Sequence, residues 1–219
     1  MGRKLSLTRK TTVIHGGREV SILSPVDPCP LIIAAEFKGN NYTFSNSIGY
    51  AVLRDLFMIS CGLGENEIIH MPMVFEHSEE FLRDYPEPDN LFNSLIFRNY
   101  CTCRLKTKDI LASIKAQSNK QDFSVCCDDF IKNDVDYWKT RRRLTIKTAG
   151  KHMLLSANRD VFTELAQSCD YLAELEDDEK MNHMAPHFHH DWMENTARSG
   201  GITFYYWTPP LCKKELLSQ

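Results

Sequence analysis

Long apolar runs are what this 219-residue sequence most plainly lacks. No stretch approaches the roughly eighteen consecutive apolar residues of a membrane-spanning helix, and the opening residues hold no apolar block of the kind a secretory signal carries. Charge of one sign is missing as well: 26 Lys and Arg stand against 29 Asp and Glu, a net charge of -3. That balance excludes a histone-like, polyanion-coated chain, so any electrostatic partner must be met by a local patch. A glycine-rich phosphate loop, a G-x-S-x-G elbow and a zincin or zinc-finger spacing are also absent. Gly62-Leu63-Gly64 reads as a helix stop, and there is no internal repeat or low-complexity tract.

Hydrophobic residues make up 42% of the chain, enough for a sizeable buried core. Eight cysteines are present (Cys29, Cys61, Cys101, Cys103, Cys126, Cys127, Cys169, Cys212). Small secreted scaffolds use disulfides because they cannot build a core; this chain can, so free thiols and a cytoplasmic or nuclear, not secreted, setting are expected. Gly2 followed by Ser6, with Arg9 and Lys10 beyond, fits the simple pattern for N-myristoylation. Membrane attachment is expected only with that modification, because one acyl chain needs nearby basic charge to hold.

Apolar periodicity and turn residues divide the chain into short elements. Thr12–His15 and Glu19–Leu23 flank Gly16-Gly17-Arg18 as a hairpin, and Leu31–Phe37 is a buried strand that turns through Lys38-Gly39-Asn40-Asn41 into Tyr42–Phe44. Ser47 caps a helix carrying Ile48, Val52, Leu53, Leu56, Phe57 and Ile59. A strand over 68–75, a short helix over Ser78–Tyr85 and a strand over Leu95–Leu105 follow, the last with Phe97, Cys101, Cys103 and Leu105 on one face. A helix starts at Thr107, and Phe123–Cys127 is a short strand. A helical turn near Asn133–Trp138 precedes a hairpin of Arg141–Thr148 and Lys151–Ser156. Asn158 caps a long helix from Arg159 to about Lys180, and Ile202–Trp207 is the last strand. Strands and helices without regular alternation predict an α+β fold: a single domain over 13–208, with three or more helices packed on a largely antiparallel mixed sheet. Residues 1–12 read as a flexible basic tail and 209–219 as a C-terminal tail.

Two constellations carry candidate chemistry. Lys139, Arg141, Arg142, Arg143, Lys147 and Lys151 fall within thirteen residues that contain no acid. In a strand, Arg141, Arg143, Thr145 and Lys147 share one face, a row suited to successive phosphates, while Leu144 and Ile146 face the core. Tyr137 and Trp138 upstream could stack on bases. The competing reading is that the acidic stretch from Asp160 to Glu179 neutralises this row. The second constellation is His183, His187, His189 and His190. His187, His189 and Asp191 share parity in an extended chain, so they form a candidate metal site, with His183 or a distant residue completing it.

Weaker readings remain. Cys101-Thr102-Cys103 with Cys126-Cys127 could hold structural zinc, although buried cysteines act more simply as small hydrophobes. Pro88-Asp89 belongs equally to a metal-dependent nuclease or to a proline-bounded loop. His15 or His152 joins the histidine cluster as acid and base only if the fold brings them together. The leading expectation is a non-catalytic intracellular binding or assembly protein, of a virus or a eukaryotic host, that meets a nucleic acid or an acidic protein surface through Lys139, Arg141, Arg143, Lys147 and Lys151. The alternative is a metal- or histidine-dependent hydrolase acting on a phosphodiester. No cofactor is required by the first reading; zinc or another divalent metal belongs to the second. A homo-oligomer is compatible with either.

Overall fold

A computed structural model describes residues 3–27, 29, 31–74, 78–116, 118–127, 144–175, 184–190 and 201–208. Alternation of apolar and polar side chains builds the first hairpin, β1 (Arg3–Ile14) and β2 (Arg18–Pro25), joined by Gly16 and Gly17, both at positive φ. Residues 3–12, expected as a basic tail, are therefore most of a long strand. Leu7 is fully buried on one side of it, and β1 pairs with β2 over residues 7–14 and with β8 (Asn119–Cys127) over residues 3–11. The basic side chains lie along the strand: Arg9 sits 5.2 Å over the Phe123 ring and 3.4 Å from Glu67. Residues 1–2 and 209–219, with the acylation and C-terminal tail readings, lie outside the described residues.

β3 (Ile33–Phe37) and β4 (Asn40–Ser45) form the second hairpin. Its two turn residues, Lys38 and Gly39, have φ of 50° and 79°, the mirror-image turn that matches strand twist. β5 (Glu67–Pro72), β6 (Asn90–Leu91), β7 (Ser94–Asn99), β9 (Leu144–Ala149), β10 (His152–Ala157), β11 (His187–His190) and β12 (Ile202–Tyr206) complete the strands. They divide into two mixed sheets where the sequence suggested one. The larger has the order β8-β1-β2-β5-β7-β10-β9 and the smaller β11-β12-β4-β3-β6, with antiparallel pairing prevailing in both.

Helix α1 (Ser47–Ser60) begins one residue earlier than the Ser47 cap implies. Asn46 is the cap, and its side chain accepts from the Gly49 N–H at 3.1 Å. Asn158 caps α4 (Arg159–Ala173) in the same way through the Val161 N–H, as the sequence predicts. That helix ends before Lys180; Glu174 and the acidic run beyond it would set like charge on the negative end of the helix dipole. α2 (Ser78–Asp84) and α3 (Thr107–Lys115) are shorter. No described helix is long and apolar enough to cross a membrane.

The α1–α4 pair packs with the inner faces of both sheets in one core. Phe57 is its hub, touching Phe97 of the larger sheet, Phe162 of α4 and Phe204 of the smaller sheet at ring separations of 5.1, 6.0 and 5.9 Å. Arg54 ties the two helices through Asp170 at 2.8 Å. The opposite face of the larger sheet packs under α3 around Val20, Ile22, Ile68, Ile96 and Leu154. The outer face of the smaller sheet packs with α2 through Phe44, Phe81 and Trp207. The domain is thus α+β, with helices between and outside the sheets.

The strand expected to run to Leu105 stops at Asn99. The Asn99 side chain accepts from the Cys101 N–H, and Thr102 donates to the Asn99 and Leu63 carbonyls, so side chains take over the backbone groups and turn the chain. Phe97 and Cys103 consequently face opposite sides of the sheet, and Cys101 is exposed.

Candidate functional site

The β9–β10 hairpin forms over the predicted basic segment, and its parity is the expected one. Leu144 and Ile146 enter the core, while Thr145 and Lys147 point to the α3 side beside Ser156 and Leu154. Lys139, Arg141 and Arg143, like Arg142, Tyr137 and Trp138, lie outside the described residues. Lys147 is exposed, and no acidic side chain pairs with it among the described residues. Lys151 does not join its row. It lies in the turn, where its Nζ donates to Asn90 Oδ1 of β6 at 2.8 Å, and the Asn93 N–H, in the link between β6 and β7, donates to the Lys151 carbonyl.

The α3 side gathers other cations that local reading missed. Lys10 and Lys120 are register partners on β1 and β8, so their side chains share this face. Arg104, Lys106, Lys108 and Lys115 are exposed along α3 and its approach. Arg98 is held by Ser156 Oγ and by the Leu105 carbonyl. The acids carried by α3 and by this face of the strands are Asp109 and Asp122, and Asp122 accepts a hydrogen bond from Thr8 at 2.6 Å. The signal that could have found this face is residues 104–120, which hold five cations and one acid.

Titration behaviour follows from the same crowding. Burial, then Lys120, lowers the pKa of Lys10, whose Nζ donates to the Ile114 carbonyl. Burial, then His152 and Lys10, pulls His70 down to about 4, and burial, then Lys115, lowers His152. The His70 and His152 rings stand 6.4 Å apart. Ser94 Oγ lies 2.7 Å from His152 Nδ1, but Ser94 is only 1% exposed, so the pair is a packed hydrogen bond and not a reachable nucleophile.

The acidic helix faces elsewhere. α4 belongs to the core on the opposite face of the larger sheet, and its Asp170 is engaged by Arg54. The sheet therefore separates the acids of α4 from Lys147.

β11 is the edge of the smaller sheet, and its parity is also as expected: His187 and His189 are exposed on one side, and His190 is 4% exposed on the other. The His187 and His189 ring centroids are 4.7 Å apart. His187 Nδ1 lies 2.7 Å from the Ala185 carbonyl, and His189 Nδ1 lies 2.9 Å from Thr203 Oγ1. Asp191 and His183 are outside the described residues. Among those described, no group of three His, Cys, Asp or Glu side chains could hold a metal, so neither His15 nor His152 completes a cluster with this pair.

Asp89 has a structural task, accepting from the Lys38 N–H at 2.5 Å and bracing the β3–β4 turn. The paired-cysteine reading divides across the larger sheet. Cys126 and Cys127 end β8, four strands from β7 and the Cys101 turn, about 19 Å at the usual strand spacing. Cys61, Cys101, Cys103 and Cys169 are free thiols. No family model matches this chain, and no curated protein or solved structure matches it either.

Proposed function

We propose that this protein binds nucleic acid, without catalysis, through the α3 face of its larger sheet. The observation that carries the reading is the separation of charge across that sheet: Lys10, Lys108, Lys115, Lys120 and Lys147 on one side, the acids of α4 on the other. In a chain of net charge -3, a face of this kind gives a polyanion one orientation in which to approach. Lys108, Lys115, Lys120 and Lys147 are exposed and have no ion-pair partner among the described residues, so they need not break such a contact to meet phosphates.

The test is equilibrium binding to a fluorescent duplex and a fluorescent single strand across a salt series. The logarithm of the affinity should fall linearly with the logarithm of salt concentration, with a slope of about 0.9 per duplex phosphate engaged. Lys108→Glu, Lys115→Glu and Lys147→Glu together should weaken binding by tenfold or more and flatten the slope by roughly 2 to 3. Arg159→Glu on the α4 side should do neither. Binding that ignores salt, or survives the triple reversal, defeats the proposal. Tighter binding to an acidic polypeptide than to either nucleic acid would assign the face to a protein partner.

A further inference from the structure

The histidine edge lies on the smaller sheet and takes no part in that reading. We propose that His187 and His189 form a two-imidazole chelate for a borderline divalent transition ion of the Zn(II) type, with water in the remaining positions.

Four features of the backbone and its neighbours orient the pair. A carbonyl can only accept, so the His187 contact with the Ala185 oxygen at 2.7 Å puts the proton on Nδ1 and leaves the Nε2 lone pair for a ligand. Ala185, which supplies that oxygen, has a φ of 44°, a left-handed conformation that an alanine adopts only at a cost. His187 is also stacked on Tyr205, at 4.7 Å between centroids and 15° between planes, which limits its swing. Thr203 Oγ1, 2.9 Å from His189 Nδ1, can rotate to accept and so select the same tautomer in the second ring.

The separation of the rings is the quantitative argument. Zinc binds imidazole nitrogen at about 2.0–2.1 Å, so an ion held by Nε2 stands about 3.2 Å from the ring centroid. Two such rings at ligand angles of about 90–110° have centroids roughly 4.5–5.2 Å apart. The observed 4.7 Å lies within that interval without any movement of the strand. Neighbouring exposed side chains on one strand face would tolerate a wide range of separations; here the hydrogen bonds and the stack hold the rings near a chelating distance.

Co(II) is the probe, because thiolate ligation gives it an intense sulfur-to-cobalt charge-transfer band and imidazole ligation does not. That separates this site from the free cysteines. The reduced full-length chain should take up one Co(II) with no thiolate band, and its unfolding temperature should rise with cobalt. Each of His187→Gln and His189→Gln should weaken uptake by about tenfold or more, the loss that even an outer-sphere partner commonly causes. Both residues are exposed, so the variants should unfold like the parent chain when no metal is added. Absence of saturable uptake, a thiolate band, or uptake unchanged in both variants overturns the site. Nucleic-acid binding is measured without cobalt, so either reading can fail alone.

Discussion

Gly49→Ala tests whether close approach of α1 to the smaller sheet is a fixed feature of the fold. An alanine is intrinsically better in a helix by about 1 kcal/mol, so helix propensity alone predicts stabilisation. Packing predicts the opposite. A Cβ at Gly49 falls within the radius of Ser45 Oγ and 2.9 Å from Ile32 Cγ1. Ser45 is fully buried, and its hydroxyl donates to the Leu31 carbonyl at 2.9 Å, so turning it away from the new methyl abandons that bond. Overpacking costs about 1–3 kcal/mol and a stranded buried polar group about 1–3 kcal/mol, so the net loss should be about 2–3 kcal/mol after the helix gain.

Urea titration should show that loss as a lower midpoint with an unchanged slope. Gly62→Ala is the internal control, because its Cβ would meet only the Ile59 carbonyl at 3.8 Å. Ser45→Ala combined with Gly49→Ala should cost little more than Ser45→Ala alone, giving a coupling of about 2 kcal/mol. If Gly49→Ala is no worse than Gly62→Ala, or the two substitutions at 45 and 49 are additive, the steric argument is refuted.

Tyr50→Phe should cost about 1–2 kcal/mol, since the buried hydroxyl bonds to the Thr43 carbonyl at 2.9 Å and to the Tyr205 carbonyl at 2.5 Å, bridging the parallel pair β4–β12. A neutral result in the same urea assay would show that the bridge adds nothing. His70 has a folded pKa of about 4, below the ordinary 6.5, so the unfolded chain takes up that proton first. Its neutral form supports the fold fully above pH 6.5, and that support is lost as pH falls from 6.5 to 4. His70→Asn should therefore flatten the stability profile in this window by about 2–3 kcal/mol. Parallel profiles for the two proteins would exclude His70 as the source.

What was legible in the sequence is what short-range chemistry decides. Gly16-Gly17 and Ala149-Gly150 marked two hairpins, Asn158 marked a cap, and period-two parity predicted which sides Leu144, Lys147, His187 and His190 face. Where side chains compete for backbone bonds, the reading slipped: Asn99 and Thr102 end a strand that hydrophobic pattern alone would continue. The division into two sheets was illegible because parallel pairing of β4 with β12 joins residues about 160 apart, which no local period reports. The basic tail was misjudged for a related reason. Leu5 and Leu7 are too few to announce a strand, yet pairing on both sides makes one.

The face proposed for binding is assembled from lysines that local charge density does not mark. Residues 139–151 attract attention because their cations are consecutive, but Lys151 is spent on Asn90 and points the turn toward the smaller sheet. Lys10, Lys115, Lys120 and Lys147 are scattered through the chain, and they share one face because β1, β8 and β9 belong to one sheet whose outer face α3 covers; β8 and β9 are its opposite edges, about 29 Å apart at the usual strand spacing, so the lysines span that face. Of the acids that would neutralise them on paper, Asp160, Glu164 and Asp170 belong to a helix pinned by Arg54 on the other side, and residues 176–179 lie outside the described residues. Neutralisation needs adjacency in space, and a sheet lying between two charge clusters removes it. A charge run is therefore weak evidence for a surface, and parity across paired strands is stronger. On that ground the binding reading rests on the lysines of the α3 face, Lys147 among them; Lys139, Arg141 and Arg143 lie outside the described residues.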